Sequence, residues 1–215
     1  MKDIKVLLFD LGGVIIDIDP SITINALKSM SKKSSEDFNA LDYKYYKEES
    51  SLLNFFFEYE KGNINDDKFR NGIREFANLD LSNDKIDHIW NYVIVKINQD
   101  LLDVVLSLKN RYKIMILSNT NFIHKVYYDK LVVDIYGKNL KQLFDMVFYS
   151  YEIRSRKPEL EIYQKVIDES SYSGKEILFF DDMKKNLEIP EIIGMKTYHV
   201  EDITLTKKFL KKSNF

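Results

Sequence analysis

The chain has 215 residues, of which 45% are hydrophobic and 31% are charged, and its formal net charge is -2. It contains 0 cysteines, which excludes disulfide scaffolds, thiolate zinc sites and cysteine nucleophiles. A chain of this length buries a full hydrophobic core without the help of disulfides or a structural metal. The near-zero charge and the lack of a long apolar run predict a cytoplasmic protein with no nucleic-acid or membrane partner, either a monomer or a homodimer.

The first predicted element is a strand buried on both faces. It covers Ile4 to Phe9, a short apolar run rich in β-branched and aromatic residues. The run stops at Asp10, and Gly12 and Gly13 follow it. Glycines at this point predict a tight turn where the backbone can approach a ligand.

The stretch from 19 to 98 contains no convincing buried strand. Its apolar residues instead recur at helical spacing in three segments, Leu52 to Gly62, Asn65 to Ala77 and Asn83 to Ile97. Asn65 and Asn83 are good helix N-cap residues. We therefore predict an all-helical domain over 19–98, inserted after the first strand.

From Asp100 onward, predicted strands alternate with predicted helices. The strands are Tyr112 to Leu117, Met146 to Ser150, Glu176 to Phe180 and Lys196 to Val200, and the helices are Asn121 to Leu131, Glu159 to Ser170 and Met183 to Ile193. This alternation is typical of an α/β fold, a Rossmann-like parallel sheet with helices on both faces. The predicted core domain comprises 1–18 and 99–215.

Polar side chains follow the predicted strands at the points where each strand ends. They are Asp10, the pair Ser118 and Asn119, Lys157, and the pair Asp181 and Asp182. Ligands of open parallel sheets bind outside the carboxyl ends of the strands, so we expect these side chains to form one site.

Their chemistry indicates phosphoryl transfer to a carboxylate of the protein. Asp10 is the candidate nucleophile, and Mg²⁺ held by Asp10 with Asp181 and Asp182 offsets the repulsion between this anion and a small phosphorylated substrate. Lys157 supplies a further positive charge. In the predicted site, Ser118 and Asn119 hold the transferring oxygens. Asp182 is favoured as the direct metal ligand, and Asn186, one helical turn later, is expected to orient it.

Four motifs with this order and spacing resemble those of the haloacid dehalogenase-like hydrolase superfamily. They are Phe9 to Ile15, Leu117 to Thr120, Arg156 to Tyr163 and Phe179 to Asn186. Two longer segments around these motifs, Leu117 to His124 and Arg156 to Ile167, resemble the branch that holds α-glucose-1-phosphatase-type sugar phosphatases and the phosphatase domain of soluble epoxide hydrolases. The resemblance implies that the helical insertion is a cap that closes over the site and selects the substrate.

One position departs from the superfamily's pattern. Most of its phosphatases carry a general-acid aspartate two residues after the nucleophile, whereas this chain has Gly12, whose carbonyl remains a metal ligand in the implied site. A general acid contributes about 10²- to 10⁴-fold and matters least for a good leaving group, which favours an aldose 1-phosphate as the substrate. Asp17 or Asp19 could replace the acid, although capping at the hinge into the insertion is favoured.

Two other functions remain open at this point. The first is a catalytically weak phosphate-binding or interaction module, since Gly12 removes the proton donor. The second is a 2-haloacid dehalogenase, which uses the aspartate without metal and has no use for the Asp181–Asp182 pair. Candidate substrate-pocket residues are Tyr43, Tyr45, Tyr46 and Phe55, and the three histidines have no metal-ligand spacing.

Overall fold

The structure is a computed structural model that describes residues 3–33, 38 and 51–212, with side chains except at 51–53. Its strands are β1 (Val6–Phe9), β2 (Ile16–Ile18), β3 (Ile94–Ile97), β4 (Lys113–Ser118), β5 (Met146–Tyr149), β6 (Ile177–Asp181) and β7 (Lys196–His199). Five of them form one parallel sheet in the order β5-β4-β1-β6-β7. The first strand of the chain is therefore central, and all four of its side chains are buried.

Helices cover both faces of this sheet. After β3 the helices are α5 (Gln99–Ser107), α6 (Phe122–Tyr136), α7 (Leu140–Leu143), α8 (Ser150–Ile153), α9 (Leu160–Ser170), α10 (Lys185–Ile192) and α11 (Ile203–Lys212), and before it they are α1 (Pro20–Met30), α2 (Ser51–Glu60), α3 (Asp66–Ala77) and α4 (Asn83–Trp90). Residues of α5, α6 and α11 pack on one face, and residues of α9 and α10 pack on the other. The predicted Rossmann-like α/β fold is confirmed.

The inserted segment packs its described helices around a separate apolar cluster. Phe69 and Ile73 on α3 are buried there with Ile86 on α4. Asn65 caps α3 as predicted, since its side chain accepts a hydrogen bond from the backbone N–H of Lys68 at 2.9 Å. The cap of α4 is Ser82, one residue before the predicted Asn83.

The insertion is not entirely helical, and this corrects the prediction for Asn83 to Ile97. The helix ends at Trp90, and Ile94 to Ile97 form β3, which pairs antiparallel with β2. The consecutive β-branched residues from Val93 to Val95 favour a strand, and β2 supplies the hydrogen-bonding partner. This strand pair lies where the chain enters and leaves the insertion; the domain division into 19–98 and the remainder stays a prediction.

None of the described helices combines the length and the apolar character that a membrane-spanning helix needs.

Candidate active site

The carboxyl ends of β1, β4 and β6 lie side by side. The parallel register pairs Phe9 with Ile116 on one side and with Phe180 on the other. Asp10 continues β1 by one residue, and its backbone N–H donates to the carbonyl of Phe180 at 2.8 Å. This register brings the predicted site residues at the ends of these strands to one edge of the sheet.

Lys157 joins two of the carboxylates. Its Nζ lies 2.8 Å from Oδ1 of Asp10 and 2.7 Å from Oδ2 of Asp181, and its side chain is only 1% exposed. Burial alone would lower the pKa of Lys157, but the charges of Asp10 and Asp181 raise it above the usual value. The ammonium group therefore remains protonated inside the protein.

The carboxylates of Asp10, Asp181 and Asp182 form one acidic cluster. Each offers an oxygen, and these oxygens all lie within 4.8 Å of one another. Burial raises the pKa of Asp10 well above its usual range, a shift that Lys157 opposes and the two other carboxylates increase. The pKa of Asp182 is also raised, by burial and then by Asp181. Three carboxyl groups lie near one ammonium group here, so acidic groups are in excess. The cluster therefore offers the negative charge and the oxygen ligands that suit a hard divalent cation.

Gly13 makes room for one of these carboxylates. Its backbone has φ +75°, in the left-handed region, and a Cβ built on it would overlap Oδ2 of Asp182. A side chain at position 13 would therefore be strained and would also displace Asp182. The Gly12–Gly13 turn was predicted as a close approach to a ligand, and the structure identifies the Asp182 carboxylate as the group that approaches Gly13.

Neighbours of the acidic pair hold it in place, and one of them differs from the prediction. The side-chain Nδ2 of Asn186 lies 3.0 Å and 3.2 Å from the two carboxylate oxygens of Asp181, so Asn186 orients Asp181 rather than Asp182. The backbone N–H of Met183 also donates to Asp181, at 2.8 Å. Asp182 is held through its backbone carbonyl, which lies 2.9 Å from Nε2 of His199.

His199 is a residue that the sequence analysis did not place in the site. The position of His199 follows from the sheet, since β7 pairs with β6 and the register places His199 opposite Asp181. The available signal was its position at the end of a predicted strand, which it shares with Asp10 and Ser118.

Ser118 and Asn119 lie at the end of β4, as predicted, but their side chains differ in what they contact. The side-chain amide of Asn119 pairs with the backbone of Lys157 twice: it donates to the carbonyl at 2.9 Å and accepts from the N–H at 2.8 Å. Asn119 thus positions Lys157, and its contact with a substrate stays a prediction. The buried Ser118 hydroxyl makes one long contact, 3.4 Å to the carbonyl of Asn119. This hydroxyl can therefore turn toward a ligand.

A cavity of about 160 Å³ opens between the insertion and this edge of the sheet. The core contributes Gly12, Ser118 and Asn119 to its lining, and the insertion contributes Phe56 and Trp90 among others. Phe55, which was predicted to line a pocket, instead stacks on Phe69 in the apolar cluster. The other predicted pocket residues, Tyr43, Tyr45 and Tyr46, lie outside the described residues.

Neither hinge aspartate replaces the missing acid in this arrangement. Asp17 is paired with Lys96 at 3.5 Å, and Asp19 caps α1 by accepting from the N–H of Ser21 at 2.9 Å. Their neighbours Ile16, Ile18 and Pro20 line the cavity, whereas the two aspartates do not. The favoured capping role is the one that the structure shows for Asp19.

The insertion is fastened to the loop that carries Lys157. Arg156 donates from Nε to Oε2 of Glu60 on α2 at 2.8 Å, and its guanidinium lies 4.0 Å from the ring centroid of Phe57. Lys61 lies 3.3 Å from the carboxylate of Glu159 on the same loop. The insertion therefore contacts the residues on both sides of Lys157.

Comparisons with known proteins agree with this geometry. A family model described as a haloacid dehalogenase-like hydrolase matches residues 4–188. A D-ribitol-5-phosphate phosphatase of Bacteroides thetaiotaomicron is 29% identical over 199 residues, which is 93% of each chain. A sesquiterpene phosphatase of Aspergillus oryzae is 36% identical over 64 residues, 30% of this chain and 33% of that protein.

A solved structure of a haloacid dehalogenase family enzyme from Bacteroides thetaiotaomicron superimposes with a TM-score of 0.82 at 33% identity, over 95% of this chain and 98% of that one. A structure of that enzyme in complex with magnesium and inorganic phosphate gives a TM-score of 0.77 at 33% identity, over 94% and 98%. An L-2-haloacid dehalogenase from Xanthobacter autotrophicus, 15% identical with a TM-score of 0.59 over 98% of this chain and 84% of that one, shares the fold.

Proposed function

Because the family model matches residues 4–188, this chain belongs to the haloacid dehalogenase-like hydrolase family, and we propose that it is a Mg²⁺-dependent phosphatase acting on a small phosphorylated metabolite. The family and the enzyme class predicted from the motifs are confirmed. The observation that carries the proposal is the buried arrangement of Lys157 between Asp10 and Asp181, with Asp182 beside them. A magnesium and phosphate complex of a similar enzyme supports it.

Asp10 is the proposed nucleophile. One of its carboxylate oxygens forms a bond to phosphorus while the ester P–O bond breaks, and the leaving oxygen departs with the bonding electron pair and takes a proton from solvent water. Water then attacks the phosphorus of the aspartyl phosphate, which releases phosphate and restores the Asp10 carboxylate. Lys157 opposes the rise that burial causes in the pKa of Asp10, which favours the anionic nucleophile, and it faces the transferred group as a fixed positive charge.

Asp10 and Asp182 are the proposed direct metal ligands, with the carbonyl of Gly12. The oxygens of Asp181 already accept from Lys157, Met183 and Asn186, so its share in the metal site is to hold the cluster together. When bound, Mg²⁺ would supply positive charge that stabilises the negative charge of the phosphoryl group during transfer. The acidic cluster fits this ion because it is built of oxygens and has a negative charge excess.

An aldose 1-phosphate remains the favoured substrate on leaving-group grounds. Gly12 has no carboxyl group, and among the described residues the only carboxylate lining the cavity belongs to Glu60, which is paired with Arg156. A substrate whose leaving oxygen is weakly basic depends least on a general acid. The related D-ribitol-5-phosphate phosphatase acts, by its name, on a primary alcohol phosphate, so both leaving groups belong in the test.

The test is release of inorganic phosphate from glucose 1-phosphate, glucose 6-phosphate and D-ribitol 5-phosphate, with and without Mg²⁺. We expect turnover that requires Mg²⁺ and is lost in Asp10→Asn. Asp17→Asn is the matched control, because Asp17 pairs with Lys96 outside the cavity and should not matter. Preference for the 6-phosphate over the 1-phosphate would refute the leaving-group argument, and turnover that persists in Asp10→Asn would refute the mechanism.

A further inference from the structure

The cavity beside the sheet edge borders the proposed phosphoryl site. Gly12 and Ser118 belong to both, since Gly12 lies in the turn after β1, Ser118 is the last residue of β4, and both line the cavity. A phosphate ester held at Asp10 must place the alcohol that leaves somewhere near these two residues. The cavity is thus the space into which the leaving group extends.

Apolar side chains from the insertion and from the strand pair form most of the cavity wall. They include Ile18 on β2, Ile24 on α1, Phe56 on α2 and Ile94 on β3. Trp90 also lines the cavity, and its ring stacks on Phe56, with centroids 5.5 Å apart, and on His124, at 5.1 Å. This wall can make van der Waals contact with apolar parts of a ligand, but it offers few groups that could stabilise an ion.

The titratable groups of the cavity do not supply an unpaired charge. Among the described residues that line it, Glu60 alone is charged, and its Oε2 lies 2.8 Å from Nε of Arg156. Burial lowers the pKa of His124 to about 3, so its imidazole is neutral near pH 7, and its Nδ1 lies 2.8 Å from Oδ1 of Asn91. Tyr59 donates its hydroxyl to Asp66 at 2.8 Å and is also uncharged.

The size of the space limits what it can hold. Its volume of about 160 Å³ is close to that of an apolar cavity, roughly 150 Å³, that accommodates one benzene molecule. A single ring or an extended chain of similar bulk fits. Moving a second ionised group into such a wall without a partner is strongly unfavourable, since the charge loses its hydration.

We infer that this cavity selects substrates with an uncharged leaving group about the size of one six-membered ring, and that it rejects leaving groups carrying a second phosphate or a carboxylate. The inference rests on the proposed phosphatase function and narrows its substrate class. It orders candidates by charge: monophosphates of neutral alcohols and sugars precede bisphosphates and phosphorylated acids.

The direct test compares two ligands of equal shape, 4-carbamoylphenyl phosphate and 4-carboxyphenyl phosphate. Their binding to the Asp10→Asn protein with Mg²⁺ is measured by calorimetry, so that the readout does not depend on turnover. We expect the carboxamide to bind at least tenfold more tightly than the carboxylate. Equal affinities, tighter binding of the carboxylate or no binding of either ligand would overturn the inference.

A charge placed in the wall provides a second test. In the Asp10→Asn background, Ile24→Lys should reduce the preference for the carboxamide at least tenfold, because its ammonium pairs with the carboxylate. Ile22→Lys on the same helix is the matched control, since Ile22 is 41% exposed and does not line the cavity. An unchanged preference in a folded Ile24→Lys protein would contradict the inference; if that variant does not fold, the two ligands on the parent protein decide.

Turnover by the wild-type protein separates this inference from the function on which it rests. If the carboxamide binds better but neither ester is hydrolysed, the phosphatase proposal fails while the cavity's selectivity holds. If both esters are bound and hydrolysed equally well, the phosphatase proposal holds and the inference about the leaving group fails.

Discussion

The carboxyl edge of the sheet and the cavity beside it differ in how many charged side chains they contain and in how these are paired. At the edge, Lys157 and Asp181 are almost completely buried, and both remain in contact with oppositely charged or hydrogen-bonding partners. In the cavity, the one charged lining residue among those described, Glu60, is paired with Arg156, and the surrounding wall is apolar. In the proposed function, the core holds the groups for chemistry, whereas the insertion limits what can approach them.

The largest expected effect comes from removing the cation at the edge. Lys157→Met should lower kcat about 10³-fold and destabilise the protein by about 3 kcal/mol, because Asp10 and Asp181 lose a buried partner. Phosphate release and urea unfolding measure the two effects. Lys165→Met is the control, since the Lys165–Glu169 pair lies on an exposed helix surface where solvent screens the two charges. Equal effects in the two variants would show that burial of Lys157 has no special role.

A smaller effect is expected when Lys157 is kept but the hydrogen bonds that hold its backbone are removed. Asn119→Ala deletes both hydrogen bonds to the Lys157 backbone, so we expect kcat to fall about 10- to 100-fold with little change in KM. Asn98→Ala is the comparison, because Asn98 caps α5 by accepting from the Leu101 N–H. That variant should lose about 1 kcal/mol of stability and keep its activity. A rise in KM alone for Asn119→Ala would instead indicate direct substrate binding.

Gly13→Ala tests the space beside the Asp182 carboxylate, which we propose as a metal ligand. The added Cβ displaces Asp182, so the Mg²⁺ concentration for half-maximal activity should rise about tenfold. Gly137→Ala is matched to it in backbone strain, since Gly137 has φ +67° but no atom within 4 Å of the added Cβ. Both variants should lose comparable stability, and only Gly13→Ala should need more Mg²⁺. A similar Mg²⁺ requirement in both would assign the effect to strain.

The smallest expected effect concerns the cavity wall. Burial lowers the pKa of His124 from 6.5 to about 3, so between these values the unfolded chain binds a proton that the folded chain does not. Stability should therefore fall as pH falls below about 6.5, with a slope of up to about 1.4 kcal/mol per pH unit from this group. His124→Gln should remove that part of the slope in unfolding measurements, and the exposed His88→Gln should leave it unchanged. An unchanged slope in His124→Gln would show that His124 is already charged in the folded state.

The arrangement at the sheet edge was predictable because it depends on a rule of topology. Parallel strands end at the same edge, so Asp10, Ser118 and Asp181 had to lie together once their strands were recognised. Local signals were equally direct where one side chain caps its own helix, as with Asn65. Such features need only short stretches of sequence.

Features that depend on long-range packing were not predictable in the same way. Glu60 and Arg156 are 96 residues apart, and nothing in either segment identifies the other as its partner. Helical spacing could not decide whether Asn186 faces Asp181 or Asp182. The run that became β3 has both helical spacing and β-branched residues, and its pairing with β2 decided the outcome.

In the proposed mechanism, the phosphoryl group is transferred to a carboxylate of the core before water removes it. Rapid quenching in acid during steady turnover, followed by peptide mass spectrometry, tests this directly. We expect one added phosphoryl group on Asp10, in the peptide that also holds Gly12, and none in Asp10→Asn. A phosphoryl group on another residue, or rapid turnover with no phosphorylated peptide at any quench time, would contradict it.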